Sequence, residues 1–324
     1  MREIIWACFF TFTAAAAQAD EITVTAAPVP LNPSDPQQTR VDSLEYVAGL
    51  ELTSPAPEWG GYSGMVMSDD GNVILAVSDV GHWLRLELRH DADGKLMGVG
   101  AARTGPLLDE AGQPVSGKEW SDAEAIATAP DGTFIVAFER NHRLWRYASV
   151  EGALGGPAQP VEIPAEISAL PENSGIEALL VDAQGQMTLL AEAGAPAGAS
   201  RGWAQQGTEW GKLQIERSDG FEPTDATFAG ASLPALLERR YTEQDGPAAR
   251  ISLLPKSSGA QPQAGHTLAT LRLPLSVDNF EAIATRPATD NGQFFYLMSD
   301  NNQNPQQRTL LLQFRLPDTR IDAP

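Results

Sequence analysis

Asp122-Ala-Glu124-Ala-Ile-Ala, then the turn pair Asp131-Gly132, then Phe134-Ile-Val-Ala-Phe-Glu139-Arg140: this phrase decides the fold. It reads as an acid, an apolar strand, a turn, and a second apolar strand ending in another acid. Asp-Gly between two apolar runs is a strong hairpin signal. The phrase recurs. Gly175-Ile-Glu177-Ala-Leu-Leu leads through Gln184-Gly185 to Met187-Thr-Leu-Leu-Ala-Glu192. Asn279-Phe-Glu281-Ala-Ile-Ala leads through Asn291-Gly292 to Phe294-Phe-Tyr-Leu-Met-Ser-Asp300. An earlier copy runs from Gly61-Tyr-Ser63-Gly64 to Ser78-Asp79, and a looser one from Thr224-Asp225 to Leu236-Leu-Glu238-Arg239-Arg240.

The copies, aligned on Ser63, Glu124, Glu177, Asp225 and Glu281, follow at intervals of about 50 to 60 residues. Each unit holds about four strand-like runs, and no segment sustains a helical period. Four-stranded units of this length repeated around an axis predict an all-β chain folded as a β-propeller. Five repeats are countable, and a sixth blade has room only in the irregular stretches 104–118 or 194–212, so five or six blades are expected. The last unit shows three strands. The run Val41 to Thr53 is therefore expected to supply its fourth and to remove an exposed edge.

Outward from the repeat, residues 1–19 read as a cleavable export signal: an apolar run from Ile4 to Ala17, then the small-x-small site Ala17-Gln18-Ala19. This predicts a periplasmic or secreted chain without a membrane span after cleavage. The only cysteine, Cys8, falls inside that leader, so cysteine hydrolase and thiolate zinc chemistry are excluded from the mature chain. Residues 20–40 are expected to be a flexible lead-in without a core role, 41–317 the propeller, and 318–324 a tail. With 42 acidic and 22 basic residues the formal net charge is -20, which argues against nucleic acid or an anionic membrane as partner.

Consecutive strands of a blade run antiparallel, so the start of the first and the end of the second lie at one end. Glu124 and Glu139 are fifteen residues apart, as are Glu177 and Glu192. If the first strand is innermost, each unit aims its acids at one mouth of the central channel. The expected ring is Asp79, Asp122, Glu124, Glu139, Glu177, Glu192, Asp225, Glu238, Glu281 and Asp300, with Arg140, Arg239, Arg240 and Arg308 in the same region. Converging carboxylates raise one another's pKa unless cations intervene. Arginines can answer some of that charge and a hard divalent cation the rest. Oxygen-only donors suit Ca²⁺ or Mg²⁺. The alternative is a purely structural network of strand-end acids capping turns. Asp91-Ala-Asp93-Gly94 reads as a turn. His82 and His142, each three residues after a rim acid, are the better proton-donor candidates among four histidines. The tryptophans are expected mainly between blades, and no nucleophile elbow is present.

Several of these phrases together resemble the phytase-like family described as having esterase-like activity of phytase. They are Gly61-Tyr-Ser63-Gly64, Ser78-Asp79, Asp122-Ala-Glu124-Ala-Ile-Ala, Phe138-Glu139-Arg140-Asn-His142-Arg143, Asn173-Ser-Gly175-Ile-Glu177-Ala, Pro223-Thr224-Asp225-Ala, Glu238-Arg239-Arg240, Asn279-Phe-Glu281-Ala-Ile-Ala and Ser299-Asp300-Asn301-Asn302. The resemblance implies an exported β-propeller hydrolysing an ester or phosphate ester of a small molecule, with calcium in an acidic funnel. On that reading Glu124, Glu177, Asp225 and Glu281 are the expected metal ligands. Arg140 and Arg239 would clamp anionic oxygens, and Glu139 would act as base. The alternative is a non-catalytic propeller binding a ligand or an envelope protein. Acids paired one-to-one with arginines would favour binding, and three or more carboxylates converging without a cationic partner would favour a metal.

Overall fold

The computed structural model describes residues 19–192, 198–254 and 264–317. Residues 1–18 of the leader, residues 193–197 and 255–263, and the tail lie outside the described residues. Five antiparallel sheets form five blades, each with its first strand innermost. Those strands are Tyr62–Met67, Ala123–Thr128, Ile176–Val181, Glu222–Ala229 and Asn279–Pro287. Each packs against the next, and the fifth returns to the first, which closes the ring. Gly64 shows how close the approach is, since a Cβ there would lie 3.0 Å from the Ala125 Cα of the neighbouring blade.

The stretches held open for a sixth blade resolve otherwise. Ala199–Gln206 and Glu209–Glu216 complete the third blade, while residues 107–117 form a packed loop pinned by a bridge between Leu108 and Pro114. Leu44–Thr53 pairs antiparallel with Thr309–Leu316, so the N-terminal run does close the last blade. The apolar core is divided into five layers, each shared by two adjacent blades. Trp83, Trp145 and Trp203 pack in these layers. The inner strands bury side chains on both faces, which is why their sequence runs are continuously apolar rather than alternating.

The expectation of a flexible, coreless segment 20–40 is corrected. Asp20–Ile22 adds an outer strand to the first blade, and Thr25–Pro28 adds one to the last. Leu31, 1% exposed, belongs to the layer between blades four and five. Edge pairing of this kind uses backbone groups, so a Pro-rich, weakly apolar segment can provide it.

Helix is confined to one α-turn, Lys118–Ser121, and one 3₁₀ turn, Ile167–Ala169, among the described residues. No helix among them is long and apolar enough to cross a membrane.

Candidate functional site

Every innermost strand carries the same irregularity near its start. The register slips between Tyr62 and Gly64, Ala123 and Ala125, Ile176 and Ala178, Pro223 and Asp225, and Phe280 and Ala282. One residue is thus bulged out of the ladder in each blade: Ser63, Glu124, Glu177, Thr224 and Glu281. Bulges re-aim a side chain without ending the sheet, and they gather beside functional sites. A second ring lies at the end of the second strands, opposite the residue two before each bulge. It consists of Asp79, Glu139, Glu192, Arg239 and Asp300.

This equivalence corrects two expected ring members. Thr224, not Asp225, is the bulged residue of blade four, and its hydroxyl faces the carbonyl oxygens of Leu237 and Phe280. Asp225 is wholly buried. Its oxygens accept the amides of Ala226 and Ile283, each at 2.8 Å, so it ties blade four to blade five rather than facing a cation. Burial pushes its carboxyl well up, and the amides of Ile283, Ala226 and Met65 pull it back. Likewise Arg239, not Glu238, holds the second-ring position. Glu238 points to the other face of its strand and pairs with Arg250 at 2.6 Å. Arg240 and Arg308 are also elsewhere, on Asp245 and Asp278.

The remaining acids do converge. Asp122, Glu124 and Glu139 can each present a carboxylate oxygen within 4.8 Å of the others, and so can Glu139, Glu177 and Glu192. The two groups share Glu139 but differ in counter-charge. Asp122 receives Lys118 Nζ at 2.5 Å and Arg140 Nε at 2.8 Å. Lys118, from the α-turn, also reaches Asp79 at 2.7 Å. On the Glu177 side the nearest cation is Arg239, 3.8 Å from Glu192 and 2.9 Å from Glu281. Glu177 itself forms no ion pair among the described residues. Glu281 is spoken for by Arg239 and by Asn279 Nδ2 at 2.7 Å.

Buried charge without enough cation moves the pKa values. Burial, then the charges of Glu177, Asp122 and Glu139, raise Glu124 well above the carboxylate range, and Glu124 also shares a hydrogen bond with Asp122. Burial, then Glu192, Glu281 and Glu139, do the same to Glu177, with Arg239 opposing. Burial likewise raises Glu139 and Glu192. It lifts Glu281 to about 7 and Asp300 to about 6, opposed in each case by Arg239. A raised carboxyl binds its proton more readily in the folded state than in the unfolded one. The cation-free protein should therefore gain stability as pH falls through the Asp300 and Glu281 values toward the unfolded carboxylate range. We expect its melting temperature, measured calorimetrically in chelator, to be a few degrees higher at pH 5.5 than at pH 8, about 1–2 kcal/mol. An unchanged or lower value at pH 5.5 would contradict this.

Local sequence explains the convergence. A Cβ on Gly175 would lie 2.8 Å from Glu139 Cγ, so glycine there lets Glu139 fold across the neighbouring blade and accept the Gly175 amide at 3.0 Å. His142 is buried beside it. Its Nε2 contacts the Pro171 carbonyl at 3.0 Å, and a carbonyl can only accept, so Nε2 carries the hydrogen. Its Nδ1 is buried without a hydrogen-bond partner among the described residues.

Lys118, Asn279 and Glu222 were not legible as site residues. Glu222 hydrogen-bonds Glu192 and pairs with Arg217. The opposite end of the channel opens into a second cavity of about 310 Å³ with a mixed lining that includes Met65, Ile126, Phe228, Asp69, Thr128 and Thr285.

The sequence model of a family described as "Phytase-like: Esterase-like activity of phytase" matches residues 57–303. A comparison with curated proteins finds no match. Among solved structures, a gluconolactonase from Xanthomonas campestris is similar at 12% identity and TM-score 0.43, with 93% of this chain and 99% of that one covered. A virginiamycin B lyase from Staphylococcus aureus, solved with quinupristin, is similar at 10% identity and TM-score 0.42, covering 91% and 100%. A protein of unknown function from Dyadobacter fermentans is similar at 11% identity and TM-score 0.42, covering 93% and 94%. Likeness at this level bears on neither substrate nor mechanism.

Proposed function

We propose, from the premise that this chain belongs to the phytase-like family, that its acidic mouth hydrolyses a small ester or phosphate ester with a divalent cation such as Ca²⁺. The supporting observation is the trio Glu139, Glu177 and Glu192, each with a carboxylate oxygen within 4.8 Å of the others', in which Glu177 forms no ion pair among the described residues. All the donors are oxygens, which fits a hard cation. A cation held there supplies positive charge to polarise the ester and to make water more acidic.

The chain's own residues divide the remaining work. Arg239, projecting into a ring otherwise made of acids, is placed to receive an anionic oxygen of the substrate. Arg140 takes a supporting role, because its Nε is committed to Asp122. Burial and the neighbouring acids raise the Glu124 carboxyl well above its ordinary value and it shares a hydrogen bond with Asp122, which suits it to protonate a leaving oxygen. Glu139 belongs with the cation's oxygens, and its free oxygen can orient the attacking water. The leader supports a periplasmic or secreted site of action, and the net charge of -20 supports a small ligand over nucleic acid.

Turnover of p-nitrophenyl phosphate and of short p-nitrophenyl carboxylate esters, with calcium and with chelator, tests this reading. Calcium-dependent hydrolysis of either class is expected. Calcium binding by calorimetry without turnover of any ester would instead make the protein a cation-dependent binding propeller, and no binding at all would remove the metal.

A further inference from the structure

Beside the mouth, between loop 107–117 and the α-turn, lies a cleft of about 410 Å³ lined in part by Asp109, Glu110, Pro114, Ser116, Trp120 and Trp145. We propose that this cleft binds a neutral sugar ring stacked against Trp120, independently of any chemistry at the mouth.

The cleft is preformed. Asp109 Oδ1 accepts the amides of Ala111 and Gln113 at 2.9 and 2.8 Å, so that carboxylate is used to shape the loop. Val115 N donates to the Leu107 carbonyl at 2.9 Å, and Tyr147 OH donates to that of Leu108 at the same distance. The aromatic wall is fixed from a separate direction. Arg143 donates to the Trp120 carbonyl at 2.5 Å, and its guanidinium carbon lies 5.3 Å from the Trp120 ring and 4.0 Å from the Trp145 ring. Even so, Trp120 remains 45% exposed, the only tryptophan among the exposed large apolar side chains of the described residues. Exposure of an indole beside a cavity, on a backbone held by Arg143, is the arrangement of a ligand platform rather than of core packing.

Chemistry selects the occupant. A second cation on these rings would meet Arg143, which already uses their negative faces. An anion would meet Asp109 and Glu110. A purely apolar ligand would bury the Glu110 carboxylate and the Ser116 hydroxyl, neither of which has a hydrogen-bond partner among the described residues, and burying polar groups unpaired is costly. A ring with an apolar face and a hydroxylated edge satisfies the platform and both polar groups at once.

Intrinsic tryptophan fluorescence and protein-observed NMR, titrated with methyl β-D-glucopyranoside, cellobiose and maltose, test the proposal. At least one should bind saturably, with shifts centred on Trp120. Trp120→Ala should weaken that binding about 10-fold or more, Trp120→Phe less, and Glu110→Gln measurably. Exposed positions such as these should leave the fold intact, which circular dichroism checks. The absence of saturable binding to all three sugars would overturn the proposal. So would binding unaffected by Trp120→Ala, or binding of tetramethylammonium in place of sugars. Calcium binding and ester hydrolysis at the mouth are read separately, so neither reading's failure entails the other's.

Discussion

Glu177→Gln should reduce calcium affinity about 100-fold or more, and the same variant should melt above the parent protein in chelator at pH 8. A 100-fold loss corresponds to about 2.7 kcal/mol. Both effects come from one carboxylate. Glu177 is 8% exposed and faces Glu139, Glu192 and Glu281, with only Arg239 opposing. With a cation present that concentration of charge is attraction, and without one it is repulsion among buried groups. Glutamine keeps the shape and deletes the charge. Glu281→Gln should behave differently. It removes the carboxylate 2.9 Å from Arg239 and leaves an arginine with weaker partners, so the cation-free protein should lose stability instead. Calorimetric titration and thermal melts of the two variants separate the cases. Unchanged calcium affinity in Glu177→Gln would remove Glu177 as a ligand, and a lower melting point in chelator would show that its charge is already compensated.

The fold was largely legible, because a hairpin phrase repeated five times carries both strand and turn information, and the closing strand at 44–53 is apolar enough to be seen. Convergence of acids at one mouth was legible for the same reason. What failed was register. In blade four the phrase is Glu222-Pro-Thr224-Asp225-Ala226, and matching acid to acid put Asp225 beside Glu281, whereas matching the apolar residue before the bulge puts Thr224 there. The slip is one residue, and in a strand one residue changes the face. The same slip promoted Glu238 over Arg239. An arginine in a ring of acids is invisible to a search for acids, yet it sets which carboxylates remain uncompensated. Lys118 was hidden differently. It reaches Asp79 and Asp122 from a four-residue turn outside the repeat, and no periodicity announces such a turn. The strands at 20–28 pair through backbone atoms, which composition does not report.

Adjacent residues on opposite faces of one strand make the second large effect. Glu238→Ala is expected to destabilise the protein by about 3–5 kcal/mol, measured by urea unfolding. Glu238 is 3% exposed, and its two oxygens take Arg250 Nε at 2.7 Å and Nη2 at 2.6 Å in a two-pronged contact that Ser252 joins at 3.1 Å. Alanine leaves the guanidinium buried over Phe221, with the Ser218 hydroxyl at 2.7 Å and a distant Asp219 as its remaining polar partners. The cost is that of an unpaired buried charge, not the worth of the pair. Replacing both partners together by Glu238→Leu and Arg250→Met should therefore recover most of the loss. Arg239→Ala, one residue along, should act on the mouth. It leaves Glu192 and Glu281 without their cation, so the cation-free protein should lose stability, while calcium binding should tighten and anion binding at the mouth weaken. A Glu238→Ala protein within 1 kcal/mol of its parent, or an Arg239→Ala protein with unaltered calcium affinity, would break the assignment of these two side chains to core and mouth.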